Sequence, residues 1–448
     1  MQPDRLTAFE TSFKHLTHLL QEAMEQNEHF ALLLNSEQSQ FLRFNQAKVR
    51  QAGTVQDGTL SLTLMWLDRS STYDLPFTGD RAIDEIQLRN ALADLRREVP
   101  QLPVDPYLVL PVGSSTSREV YTGELLAEDA VAETLLSIVS GLDFAGIYAA
   151  GTLIRGYADS AGQNHWFVTN SFALDYSLFT PDGQAVKGTL AGRQWEHDRC
   201  LQALQASKAQ LKRLAQPPKP VPKGNYRTYF SPAAVAELGG MLSWGGLSEA
   251  ALQQSRSALG LLQAGEKSLS SLFTLRENFQ RGTVPRFNDL GEIAPSDLPL
   301  ITHGKLVNTL VSSRSAKEYG RSANGADASE SLRSPEVDSG SLEREQILSE
   351  LGTGLYLSNL HYLNWSDRPT GRITGMTRYA CFWVEEGEIA APIENLRFDE
   401  SLYRFWGENL LALTDFQEFV PEVGTYGSRQ LGGIWTPGML VEDFTYTL

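Results

Sequence analysis

The chain has 448 residues, with 38 Lys+Arg against 54 Asp+Glu and a formal net charge of −16. With 42% apolar residues and 2 Cys, it reads as a globular protein of two or three domains in a reducing compartment, without a disulfide framework. The acidity opposes nucleic acid as a main partner, and no apolar run reaches the roughly 18 residues of a membrane span. The start Met1-Gln2-Pro3-Asp4 lacks the basic and apolar regions of a signal peptide, so none is expected.

Phe9, Phe13, Leu16, Leu20 and Met24 recur at helical steps and predict a helix over 5–28. The period then changes to two, predicting strands at 30–34, 40–45, 49–55 and 59–67. Asp57-Gly58 stands where a tight hairpin would need positive φ. Helices are expected at 81–98 and 124–140, with a proline-rich loop between them. A meander follows at 145–156, 165–179 and 184–194, its last turn marked by Pro181-Asp182-Gly183. A helix over 196–214 ends at a proline-rich linker, 216–224, which separates an N-terminal α+β domain, 1–222, from a mostly β domain, 223–448.

In the second half Ser231-Pro232 caps a helix after a strand at 226–230, and Gly239-Gly240 and Gly245-Gly246 interrupt it. The Ser/Gly/Ala/Asp-rich stretch 319–341 reads as a long surface loop, and 343–351 as a short helix. Strands are expected at 355–360, 375–385, 388–396 and 438–448. The fold class is therefore α+β: an N-terminal antiparallel sheet with helices and a C-terminal, largely antiparallel β domain.

Several catalytic signatures are missing. No His is followed by Glu, no Cys-x-x-Cys exists, and neither a Gly-x-Ser-x-Gly elbow nor a Walker loop occurs. Gly352-Thr353-Gly354 follows a helix, the wrong context for a dinucleotide. His15, His18 and Glu22 share one side of the first helix and could hold a metal, but this side lies opposite the apolar stripe and reads as a solvated face. His165, near Asp159, and His197 are each a catalytic base or a structural residue. Glu385 and Glu388 are either a paired-carboxylate site or a solvated hairpin turn, and Cys381 reads as a small buried hydrophobe. In Arg368-Pro369-Thr370-Gly371-Arg372-Ile373-Thr374-Gly375-Met376-Thr377-Arg378, Arg can anchor a carboxylate and Gly admits another backbone, as strand addition of a peptide requires; pairing with acidic neighbours is the alternative.

Blocks spread over most of the chain resemble the TldD/PmbA family, the modulators of DNA gyrase, also classed as peptidase U62. They are Phe41-Leu42-Arg43-Phe44-Asn45 with 59–64, Gly156-Tyr157-Ala158-Asp159-Ser160-Ala161-Gly162 through Asp175-Tyr176-Ser177-Leu178, Gly354-Leu355-Tyr356-Leu357-Ser358-Asn359-Leu360, Thr374-Gly375, and Trp383-Val384-Glu385-Glu386-Gly387-Glu388-Ile389-Ala390-Ala391-Pro392. The resemblance implies a two-domain cytoplasmic protein that pairs with a homologous subunit. In that family the TldD type carries a zinc protease site, a His-Glu-x-x-x-His helix and a later Cys, whereas the PmbA (TldE) type lacks it. The pair cleaves unfolded peptides and is linked to peptide-antibiotic maturation and antitoxin degradation.

Here the corresponding helix is Ser231-Pro232-Ala233-Ala234-Val235-Ala236-Glu237-Leu238-Gly239-Gly240, without His, and the later Cys region is Gly424-Thr425-Tyr426-Gly427-Ser428-Arg429. The resemblance thus points to a zinc-free, PmbA-like chain that is not catalytic alone, with no catalytic residue, metal or cofactor assigned. Its expected partners are a TldD-type subunit or a second copy in a dimer, and an extended peptide. The candidate peptide contacts are Arg372, Thr374, Gly375, Arg378, Tyr426 and Arg429. The alternatives are a stand-alone peptide-binding scaffold and a hydrolase using carboxylates without zinc.

Overall fold

Three long strands organise the first half. Glu28–Asn45 pairs antiparallel with Lys48–Trp66 on one side and with Asp143–Asp159 on the other, and Asn164–Phe179 continues the sheet. The sheet has seven strands, with Arg69–Pro76 at one edge. At the other edge Thr116–Tyr121 runs parallel along the first part of Asn164–Phe179, and Ala185–Gly192 runs antiparallel along the second. The structure is a computed structural model that describes residues 3–448, with side chains from Leu6 onward.

Alternation along these strands sends even-numbered residues to one face. There Phe30, Leu32, Leu34, Leu62 and Ile154 pack under the helices Pro3–Ala23 and Arg81–Glu98. Farther along the same face Leu42, Phe44, Phe144 and Leu174 pack under Val131–Ile138 and His197–Leu214. The odd-numbered face meets the second half of the chain: Ala31, Tyr157 and Phe167 cluster with Phe287.

The second half holds a nine-stranded sheet, which includes Gly224–Phe230, Gly354–Leu357, Arg372–Arg378 and Met439–Tyr446, and a six-stranded sheet. Leu275 and Leu300 of the smaller sheet and Leu355, Ile373 and Phe398 of the larger one share a core with Val235 and Leu238 of the helix Pro232–Gly240. The 216–224 linker lies on the larger sheet, with the Lys219 amide donating to Pro392 O at 2.7 Å and its ammonium 4.4 Å from the Trp383 ring centroid. Among the described residues no helix is long and apolar enough to cross a membrane.

Four expectations are corrected. Asp57-Gly58 is not a hairpin turn; it lies inside the continuous strand Lys48–Trp66. The turns fall at Gln46-Ala47 and Leu67-Asp68, all four with positive φ. Gly58 serves close approach instead, since a Cβ there would sit 2.7 Å from Phe77 O. The expected strands at 30–34 and 40–45 are one strand, Glu28–Asn45, because both neighbours pair with it through its polar middle. The helix expected at 124–140 is only Val131–Ile138.

The 319–341 stretch is no solvated loop. Its strand Pro335–Val337 enters the six-stranded sheet, and Glu330 is 2% exposed. Polar residues fill the interior there because they satisfy one another: Glu330 accepts from Ser248 Oγ (2.6 Å), Ala250 N (2.9 Å), Ser312 N (2.8 Å) and Ser312 Oγ (3.0 Å).

Candidate functional site: the cleft between the two halves

A cleft of about 750 Å³ separates the odd-numbered face of the N-terminal sheet from the C-terminal half. The helix Pro232–Gly240 forms one wall. Ser231 starts it, its Oγ accepting from Ala234 N and donating to Ser358 O at 2.6 Å, with Pro at the first helical position. Ala233, Ala236, Glu237 and Gly240 line the cleft at helical spacing, while Val235 and Leu238 enter the core. The opposite wall is the sheet, with Asn35, Arg155, Lys187 and Thr189. Two edge strands border the space through Asn359 and Leu363 of Asn359–Asp367 and Val420 and Pro421 of Glu418–Pro421.

Charge is unevenly satisfied here. Arg333 is spent on the protein, its Nη2 donating to Pro285 O (2.5 Å) and Phe287 O (2.6 Å). Beneath it Glu277, 1% exposed, accepts from Arg333 N at 2.7 Å and Ser334 N at 2.5 Å, and burial still pushes its carboxyl up to about 7. Burial also raises Asp289, with Asp327 adding to the effect. Glu237 keeps solvent access, yet the cleft walls raise it too; Glu422 adds to this and Lys187 opposes it. Lys187 is itself held by Asp175 at 3.1 Å.

The family-implied zinc does not fit these residues. The cleft-facing stripe of the helix offers Ala, Ala, Glu and Gly, and the cleft lining contains neither His nor Cys. Among the described residues no three His, Cys, Asp or Glu side chains are grouped as a metal ion requires.

The six candidate peptide contacts are not brought together. Arg372 is tied to Asp399 at 2.7 Å, Thr374 Oγ1 donates to Phe398 O at 3.0 Å, and a Cβ on Gly375 would meet the Phe398 ring at 2.6 Å. The Arg378 guanidinium lies 5.3 Å from the Tyr379 ring centroid. Tyr426 is fully exposed. Arg429 is buried against the middle of the N-terminal sheet, its Nη2 donating to Ser171 O (3.1 Å) and Oγ (3.0 Å).

The other candidates also have structural partners. His15 faces Glu85 at 3.4 Å and His18 faces Glu22 at 3.3 Å, so the first helix does not gather them. His165 is fully buried, stacked on Phe287, with Nδ1 2.9 Å from Ser117 Oγ. Asp159 caps its own turn through Ala161 N, Gly162 N and Gln163 N. Glu385 and Glu388 face each other across an exposed hairpin. Cys381 is buried, as expected.

Arg155, Asn35, Asp289 and Asp327 belong to no motif in the sequence. A single Arg within the apolar run 145–158 was the available signal for Arg155. Asn35 closes the apolar run 30–34, and Asp289 and Asp327 stand in segments without periodicity.

Residues 223–448 match the family model described as the PmbA/TldA metallopeptidase C-terminal domain. No curated protein matches the sequence. Among solved structures, the chain is similar to TldE from Thermococcus kodakarensis, with a TM-score of 0.79 and 14% identity, covering 98% of this chain and 100% of that one. It is similar to a protein named as a modulator of a DNA gyrase from Thermotoga maritima MSB8, with a TM-score of 0.75, 14% identity and coverage of 98% and 100%. A protein of the same description from Bacteroides thetaiotaomicron gives 0.74, 16% identity and coverage of 100% and 99%. At such identities these likenesses establish a shared fold.

Proposed function

Because the chain belongs to the PmbA/TldD metallopeptidase family, we propose that it is a zinc-free, peptide-binding subunit that works beside a homologous metal-bearing subunit. One observation carries this reading: the cleft-facing stripe of Pro232–Gly240 presents Ala233, Ala236, Glu237 and Gly240 where the resemblance places a metal motif. Hydrolysis at zinc needs about three protein ligands and an open water position, and this wall supplies neither imidazole nor thiolate. The cleft itself supports peptide as the ligand. It is bordered by two edge strands and mixes apolar with polar walls, which suits an extended chain. A cytoplasmic setting and a dimer belong to the same proposal.

Co-expression with a family member that carries His-Glu-x-x-x-His tests it. A stable complex that cleaves unstructured peptide, with metal only in the partner and no turnover by this chain alone, is the expected result. Stoichiometric zinc with peptide cleavage by the purified lone chain would overturn the assignment.

A further inference from the structure

Three cations line the cleft, and two of them are engaged. Arg333 donates to four backbone carbonyls, and Lys187 is paired with Asp175. Arg155 is different. Its one side-chain hydrogen bond among the described residues runs from Nη1 to Ile154 O at 2.8 Å. Glu37 acts on it only through space, and burial pushes its guanidinium down to about 10. A guanidinium has five N–H donors in a planar fork. Most of this fork is unspent, in a space that already removes it from bulk water.

The surroundings define what would fill it. Asn35 lies directly across the strand pair from Arg155, is exposed, and lines the same cleft. Beside them Leu33, Phe287 and Leu431 form an apolar group that also lines the cleft. Along the Asp143–Asp159 strand, the distance from Arg155 back to Ile147, which is in register with Asp175 and Thr189, is eight residues, or about 26 Å. That is the length of an extended peptide of about eight residues.

We infer that Arg155, with Asn35, is the anchor for the free C-terminal carboxylate of a bound peptide, and that the Leu33–Phe287–Leu431 group receives the last side chain. The cleft then selects chain ends over internal segments. This inference rests on the peptide-binding reading above.

The test uses the full-length chain and an unstructured octapeptide of Ala, Ser and Val carrying an N-terminal fluorescein, made as free acid and as C-terminal amide. By fluorescence anisotropy the acid is expected to bind the unaltered chain about 10- to 100-fold more tightly than the amide. Arg155→Met should bring the acid down to about the amide's affinity, and an unchanged melting temperature and circular dichroism spectrum show that the variant is folded. Arg155→Lys keeps the charge but loses the fork, so the preference should shrink several-fold without vanishing. Equal binding of acid and amide to the unaltered chain would overturn the anchor and leave peptide binding standing. So would a preference that survives Arg155→Met. Failure of both peptides to bind would remove the peptide-binding reading and the anchor together.

Discussion

Arg429→Met should unseat the 422–430 loop from the N-terminal sheet. The guanidinium reaches three strands, with Nη1 3.3 Å from Ser39 Oγ and 3.4 Å from Gly151 O, and Nη2 3.1 Å from Ser171 O and 3.0 Å from Ser171 Oγ. Methionine keeps most of the volume but donates nothing. The two bonds near 3.0 Å carry most of the value, at about 1.5 kcal/mol each for a charged donor; the two longer ones add little. The expected loss is therefore about 3 kcal/mol. Urea unfolding followed by tryptophan fluorescence measures it, and limited proteolysis should show earlier cleavage within 422–430. Tyr426→Ala, at a fully exposed position on the same loop, should stay within about 0.5 kcal/mol. A loss below about 1 kcal/mol for Arg429→Met, with unchanged proteolysis, would refute the docking role.

Glu277 has a folded-state pKa of about 7 against an ordinary 4.5, so the folded protein holds this proton more tightly than the unfolded chain does. Its contribution is fully present below about pH 4.5 and is lost as pH rises through 7. Between pH 5.5 and 8 this removes about 2 kcal/mol, and Glu277→Gln should flatten that part of the stability profile; parallel profiles would count against it. Cys200 and Cys381 are both free and buried, and burial raises both thiols to about 11. Neither should react with a thiol reagent within minutes at neutral pH, and both should react in denaturant. Rapid labelling of the native protein would show that one of them is reachable.

Much of the fold was legible locally. The alternation Leu60, Leu62, Leu64 marks one face of a strand, and all three are buried. Pro181-Asp182-Gly183 is a turn, with Gly183 at φ 86 and Thr180 N donating to Gln184 O at 2.9 Å. Ser231-Pro232 starts a helix as such a pair should. The absence of His from that helix was also plain, and it shapes the functional reading. In each case the cause lies within a few residues, where periodicity and capping chemistry act.

What strand pairing and domain docking impose was not legible. Gln46-Ala47 and Leu67-Asp68 carry no turn signature, yet they take positive φ because the strands on either side pair along their whole length. Glu330 reads as a loop residue until Ser248 and Ser312, far away in sequence, supply its partners.

The same division holds for the cleft. The sequence by itself determined the sheet-forming patterns and the absence of His and Cys from the helix Pro232–Gly240, since these follow from residue type and spacing. The tertiary structure decided that Arg429 is spent inside an interface while Arg155 keeps free donors in a cavity. Two arginines of identical chemistry differ only in what the folded chain places opposite them.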